Sequence, residues 1–243
     1  MSTLLISDLH LEDSRPDITR ALFYLLDQFE GKVERLFILG DFFEIWLGDD
    51  ALTDTAQQVA IRLQQFANAG CDVFIMHGNR DFLLGHDYAQ RCGAKLIAEP
   101  YETMMAGQHC LLMHGDTLCT DDKLYMDFRS MVRNPDWQKA FLEKSLDERI
   151  AFGRQARNQS QEDAKEKTYE ILDVNQEAVV TTFETHDVPV LIHGHTHRPQ
   201  RHQVDIGDQL RERIVLGDWH EKGWYLIADD NSLSLKNFDF SDF

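Results

Sequence analysis

The chain has 243 residues, enough for one large domain with an insertion, and its 43% hydrophobic and 27% charged composition fits a globular protein. No run of roughly 18 apolar residues occurs, which excludes a membrane-spanning helix, and no basic leader precedes the first apolar run, so cytoplasmic residence is expected. A net charge of −18 argues against nonspecific nucleic-acid binding.

Thr3-Leu4-Leu5-Ile6 reads as a short buried strand, and Ser7-Asp8-Leu9-His10 follows it. On an extended strand end, positions two apart point the same way, so Asp8 and His10 are expected to reach one ion. Residues 17–29 carry Ile18, Ala21, Leu22, Leu25, Leu26 and Phe29 at spacings of three and four, which predicts an amphipathic helix. Leu36-Phe37-Ile38-Leu39 predicts a second buried strand, ending in Gly40-Asp41. Residues 54–69 repeat the helical pattern with Val59, Ala60, Leu63, Phe66 and Ala67. Val73-Phe74-Ile75-Met76 then leads into His77-Gly78-Asn79-Arg80-Asp81, and Cys110-Leu111-Leu112-Met113 into His114-Gly115-Asp116. Alternating strands and helices predict an α/β fold.

The segment from about 121 to 168 breaks this rhythm. Asn134-Pro135 is a helix start, with a capping residue before proline at the first turn. Trp137, Phe141, Leu142, Leu146 and Ile150 follow at helical spacing, so a helical cap inserted in the main domain is expected. Residues 123–170 hold ten basic and nine acidic side chains, whereas the remainder is strongly acidic. Two readings stand: a balanced helical surface, or a segment that meets an anionic ligand or membrane. Its apolar residues likewise read as the cap's own core or as a groove for a ligand. Val190-Leu191-Ile192 is the fifth buried run, followed by His193-Gly194-His195-Thr196-His197. Strand-like pieces at 213–216, 223–228 and 232–238 close the chain.

Each of the five blocks places carboxylate, imidazole or amide oxygen just past a buried strand. Such donors suit Mn, Fe or Zn rather than a thiolate site. Taken singly, an Asp-x-His or a Gly-Asp pair is weak; the ordered conjunction carries the signal. Seven ligands exceed what one tetrahedral ion needs, so two ions sharing a carboxylate are expected, an arrangement common in phosphoryl chemistry. His77, His193, Asp49, Asp50 and Asp81 read as partners that orient the ligands. Cys71, Cys92, Cys110 and Cys119 lack zinc-motif spacing and read as reduced thiols.

The series Asp8-x-His10, Gly40-Asp41, Gly78-Asn79, His114 and Gly194-His195-x-His197 resembles the calcineurin-like metallophosphoesterases. That resemblance implies a four-layer αββα sandwich of two mixed sheets, with 1–120 and 169–243 as the core and 121–168 as the helical cap. It implies one ion on Asp8, His10, Asp41 and His197 and another on Asp41, Asn79, His114 and His195. The longer stretches His77 to Gly85, Met113 to Asp122, Asp173 to Gln176 and His193 to Pro199 resemble the branch that hydrolyses UDP-2,3-diacylglucosamine in lipid A biosynthesis. For that branch the resemblance implies two Mn²⁺ ions and a water attacking the α phosphorus. The implied products are UMP and 2,3-diacylglucosamine 1-phosphate, lipid X.

The resemblance further implies substrate contacts from Asn79, Arg80, Asp122, Arg157, Ser160, Lys167 and His195. Ala164 departs from it, because a polar side chain often stands there, and one substrate hydrogen bond is in doubt. Arg80 stands where many relatives place a histidine general acid. An anhydride's leaving phosphate needs no such donor, and a guanidinium can grip phosphate oxygens with its planar fork. Phe128, Met131, Val132, Trp137, Phe141 and Phe152 are candidates for acyl contacts. The implied partners are this lipid substrate and the cytoplasmic face of the inner membrane, reached by apolar surface and not by a polybasic run; a monomer is suggested. The competing expectations are a dinucleoside polyphosphate hydrolase, for which an apolar cap has no use, and a scaffold without catalysis, which would be expected to have lost ligands.

Overall fold

The computed structural model describes residues 2–166 and 173–242. A six-stranded mixed sheet and a five-stranded mixed sheet pack face to face. The first is built around four parallel strands, β1 (Thr3–Ile6), β2 (Arg35–Leu39), β3 (Asp72–Met76) and β4 (Ala94–Ile97). The second contains β5 (Tyr101–Met105), β6 (Gln108–Leu112), β7 (Val190–His193), β8 (Gln200–Ile206) and β9 (Gln209–Val215). The antiparallel strands β10 (Lys222–Ala228) and β11 (Leu233–Asp239) return to β1 and complete the first sheet.

The layering follows from strand alternation. Leu4 and Ile6 point into one apolar cluster with α1 (Pro16–Phe29) and α2 (Asp54–Asn68), whereas Leu5 points into the cluster between the sheets. On the second sheet, Leu111 and Leu191 face outward against Val179 and Phe183 of α7 (Gln176–His186), whereas Leu112 and Ile192 face the first sheet. Helix, sheet, sheet and helix are thus held by three successive apolar interfaces, and the four-layer expectation holds. Two buried faces explain why these strands read as unbroken apolar runs.

Helix α1 starts on Pro16, and α2 on Thr53, whose side chain accepts the amide of Ala56 at 3.1 Å. The short α3 (His86–Arg91), β4, β5, β8 and α7 were not anticipated by periodicity. Strand β8 lies at a sheet edge and is mostly polar, so it offers little apolar alternation.

Among the described residues, three α-helices lie between β6 and α7: α4 (Lys123–Val132), α5 (Pro135–Leu142) and α6 (Leu146–Glu166). Here the spacing from Trp137 to Ile150 misleads, because one helix does not carry it. The chain breaks before Ser145, which starts a capping box. Ser145 N donates to Glu148 Oε2 at 3.0 Å, and Glu148 N donates to Ser145 Oγ at 3.4 Å. Val132 and Phe141 are buried, and Phe141 stacks on Trp137 and meets Phe152 edge-on. Phe141 joins the apolar cluster under the first sheet, with Trp137 and Phe152 packed against it, so these side chains extend the main-domain core and do not form a separate core of the cap. Arg149 pins α6 to the first sheet's loops, donating to Leu47 O at 2.6 Å and pairing with Asp50 at 2.5 Å.

Candidate metal centre

The ligand candidates gather where β1, β2 and β3 of one sheet and β6 and β7 of the other end. This is the C-terminal edge of the parallel strands, where backbone loops are free to converge. The convergence does not come from strand alternation. Strand β1 stops at Ile6, and Asp8 and His10 occupy left-handed backbone with φ of 56° and 52°. Asp41, His195 and His197 do the same, with φ of 47°, 66° and 55°. Only a minority of non-glycine residues adopt this region. It is held here by paired loops: Asp8 N donates to Gly40 O and His10 N to Asp41 O, at 3.1 and 3.0 Å.

The side chains form two adjoining lobes. In one, His10 Nε2 and His197 Nε2 lie 3.3 Å apart, and His197 Nε2 lies 3.5 Å from Asp8 Oδ1. In the other, Asn79 Oδ1 lies 2.9 Å from His114 Nε2 and 2.8 Å from His195 Nδ1. Asp41 stands between them. Its Oδ2 is 3.9 Å from His10 Nε2, and its Oδ1 is 3.7 Å from His114 Nε2. Asp8, His10 and His197 form one compact donor group and Asp41, His114 and His195 a second. All seven ligand candidates are therefore brought together.

The electrostatics fit divalent cations. Burial raises the Asp41 carboxyl, against the pull of His114 and His10. Asp8 is held low: burial opposes this, but the His197 contact and the charges of His114 and His10 prevail. His114, although fully buried, is pushed up to about 9 by Asp41, Asp8, Asp116 and Glu99, whereas burial and the His114 charge push His195 down to about 4. Against burial, acidic neighbours thus raise His10 and His197 in one lobe and His114 in the other, whereas His195 is lowered. Carboxylate, imidazole and amide donors are what a borderline divalent ion takes.

The supporting residues differ in part from those expected. Asp81 fastens two ligand loops together, accepting Gly78 N at 2.7 Å and Phe42 N at 2.8 Å. Asp49 accepts Trp46 Nε1, Gly85 N and Tyr88 N, and His77 contacts Leu84 O. Asp50 holds Arg149, and His193 accepts from Arg213, so neither contacts a ligand side chain among the described residues. Four contributors were missed. Ser7 Oγ donates to Asp8 Oδ2 at 2.6 Å, Glu44 contacts His10 Nδ1 at 2.8 Å, and Asp218 lies 3.6 Å from His197 Nδ1. Glu99 accepts the backbone N–H of His114 at 2.8 Å. Only Ser7, adjacent to Asp8, carried a signal local enough to read.

Arg80 sits beside the centre, its N–H donating to Asp41 Oδ1 at 2.8 Å. Its Nε is buried without a hydrogen-bond partner among the described residues. Arg157 Nη2 pairs with Glu44 Oε1 at 3.1 Å. Asp122 caps α4 by accepting Tyr125 N at 3.1 Å. Tyr125 and Arg129 of α4 both donate to Asp116, next to His114 and Gly115. Ser160 and Ala164 lie on the α6 backbone with side chains outside the described part, and Lys167 lies outside the described residues.

The calcineurin-like phosphoesterase family matches residues 1–199. A UDP-2,3-diacylglucosamine hydrolase of Cellvibrio japonicus is 51% identical, with 98% of this chain and 100% of that protein covered. Proteins of the same name from Marinobacter nauticus and Hahella chejuensis are 48% and 47% identical, over all of this chain and 100% and 99% of their own length. Among solved structures, a novel archaeal phosphodiesterase shares the fold at a TM-score of 0.50 and 14% identity, over 98% of this chain and 99% of that one.

Proposed function

The chain belongs to the calcineurin-like phosphoesterase family, and from that membership and its full-length relatives we propose that it hydrolyses the pyrophosphate bond of UDP-2,3-diacylglucosamine. The products are UMP and 2,3-diacylglucosamine 1-phosphate. The observation that carries the reading is Asp41, whose two carboxylate oxygens turn to opposite lobes of the donor cluster. The first lobe uses Asp8, His10, Asp41 and His197, the second Asp41, Asn79, His114 and His195, and Mn²⁺ is the ion proposed for both.

The donor groups Asp8, His10, Asp41 and His197, and Asp41, Asn79, His114 and His195, would hold two divalent ions, which when bound would supply an activated water and charge neutralisation for phosphoryl oxygens. The chain's own residues do the rest. Asp8 and Asp41 provide fixed negative charge, and the Asp81 contacts keep the loops of Asp41 and Asn79 in register. Arg80 offers a guanidinium with an unfilled buried donor, which suits a phosphate oxygen. Arg157, approaching from α6, can meet the same anion. Asn79 and His195, already at the second lobe, would lie against the sugar phosphate, and Asp122, Ser160, Ala164 and Lys167 complete the proposed contacts.

The 121–168 segment serves in this reading as a lid for a lipid substrate. A small pocket beside the loop that carries Glu44 is lined by Leu11, Phe43, Ile45, Trp46 and Leu47 together with the acidic Glu12 and Asp13, and Gly153 of α6 packs on Ile45 and Leu47. Leu124, Met131, Leu142 and Leu146 are all exposed in the inserted helices, and they support peripheral attachment to the inner membrane on its cytoplasmic face. No helix among the described residues is long and apolar enough to cross a membrane.

The test is hydrolysis in ¹⁸O-labelled water with added Mn²⁺, the products weighed by mass spectrometry. Label in UMP supports attack on the phosphorus bearing uridine. No turnover of this lipid, with fast cleavage of soluble dinucleotides, overturns the reading.

A further inference from the structure

Glu44 lies three residues beyond Asp41 and is only 12% exposed. Its place is fixed from the backbone. Leu11 and Phe43 form a parallel bridge, and Glu44 N donates to Leu11 O at 3.2 Å, one residue from His10. Its two carboxylate oxygens face different groups. Oε2 meets His10 Nδ1 at 2.8 Å, and Oε1 meets Arg157 Nη2 at 3.1 Å with Arg80 Nη1 at 4.0 Å.

We propose that Glu44 is a positioning residue that sets the ligand strength of His10 and shares its charge with Arg157 and Arg80, so that ion binding and anion binding are coupled through one carboxylate. The inference rests on the two-ion reading of the centre. A neutral imidazole carries one N–H, and the nitrogen that keeps the lone pair is decided by the partner of the other. His10 Nδ1–H donates to Glu44 Oε2, which leaves Nε2 with its lone pair facing His197 and Asp41. A carboxylate behind an imidazole also makes that imidazole a stronger donor. Here the carboxylate is divided, because Arg157 draws on its other oxygen.

The division has a consequence. Arg157 belongs to α6 and is 41% exposed, so an arriving phosphate can take it from Glu44. The charge on Glu44, then shared only with Arg80, acts more strongly on His10, and the first lobe holds its ion more firmly while the anion is bound. By thermodynamic reciprocity, a bound ion raises anion affinity by the same factor. Among the described residues, the charged groups that act most on Glu44 are His10 from the β1 loop, Arg80 from the β3 loop and Arg157 from α6.

The experiment is calorimetric titration of Mn²⁺ into metal-free full-length protein, comparing wild type with Glu44→Ala, Glu44→Gln and Arg157→Ala. Thermal unfolding checks that each variant is folded. Glu44→Ala is expected to weaken one of two ion sites by roughly ten- to a hundredfold. Glu44→Gln, whose amide oxygen still accepts the Nδ1 proton, loses less. Arg157→Ala tightens that same site, since the carboxylate then keeps only the more distant Arg80 beside His10. Equal ion affinity in Glu44→Ala and wild type overturns the proposal. So does a loss in Arg157→Ala that matches the loss in Glu44→Ala, because the ion pair would then carry the effect. Failure of the wild type itself to take up Mn²⁺ would instead overturn the two-ion reading beneath it.

Discussion

The backbone N–H of His195 donates to both carboxylate oxygens of Asp8, at 3.1 and 2.9 Å, across 187 positions of sequence. This contact ties the loop after β1 to the loop after β7 and so joins the two sheets at the candidate centre. It needs close approach: a Cβ at Gly194 would lie 2.1 Å from both Asp8 Oδ2 and Ser7 Oγ. Gly194→Ala is therefore expected to displace Asp8 and lower Mn²⁺ affinity by about tenfold or more while the fold survives. Metal content after dialysis, beside a circular dichroism spectrum, checks this; unchanged ion binding would contradict it.

Arg80 has an unpartnered buried Nε, among the described residues, beside the ligand loop. Arg80→Ala should lower kcat/KM by about a hundredfold, the loss of roughly 3 kcal/mol for charge-assisted hydrogen bonds to phosphate. Arg80→Lys should recover only part of it, since an ammonium lacks the planar fork. Steady-state kinetics on the lipid substrate decides. A variant Arg80→His that gained monoesterase activity at an unchanged anhydride rate would undercut the assignment of Arg80 to anhydride cleavage.

The inserted helices are fastened by Arg149, buried against the Leu47 carbonyl and Asp50. Its loss strands that carbonyl and frees α6 at this point. Arg149→Ala should destabilise the protein by about 1–3 kcal/mol, read from urea unfolding. Full stability would show that the aromatic packing of Trp137, Phe141 and Phe152 holds the segment alone.

The same pair gives a pH signature. The Arg149 contact holds the Asp50 carboxyl below its ordinary value. A carboxyl lowered in the fold contributes stability that is complete above its unfolded pKa of about 4 and disappears as pH falls through the folded value. The difference in unfolding midpoint between wild type and Asp50→Asn should be constant above pH 5 or so and shrink progressively as pH falls below about 4. A difference that grew on acidification would have the wrong sign.

Leu124, at 67% exposed, and Leu146, at 42%, present apolar side chains from the inserted helices. Leu124→Glu with Leu146→Glu should reduce flotation with phospholipid vesicles severalfold while leaving Mn²⁺ affinity intact. Flotation that is absent in the wild type, or unaffected by the change, would remove these residues from any membrane contact.

Much of the centre was legible because each ligand pair is local. Asp8 and His10 stand together just after an apolar run, as do His195 and His197, with Asp41, Asn79 and His114 each just after another, and buried strands announce themselves by composition. The sequence by itself determined the donor types, their order and the strand-helix alternation of an α/β fold, whereas the two-sheet layering was implied only by the family resemblance. The tertiary structure alone decided how those donors meet. Extended alternation would have aimed Asp8 and His10 together, but left-handed turns held by Gly40 O and Asp41 O do so instead. Glu44 is one acidic residue among 42 until folding brings His10 and Arg157 to its two oxygens. The break at Ser145 was hidden under a continuing apolar period, because a capping box competes with that period through backbone hydrogen bonds, which the spacing of apolar residues does not record. Local chemistry is written along the chain, whereas pairings between distant loops exist only once strands have fixed where each loop begins.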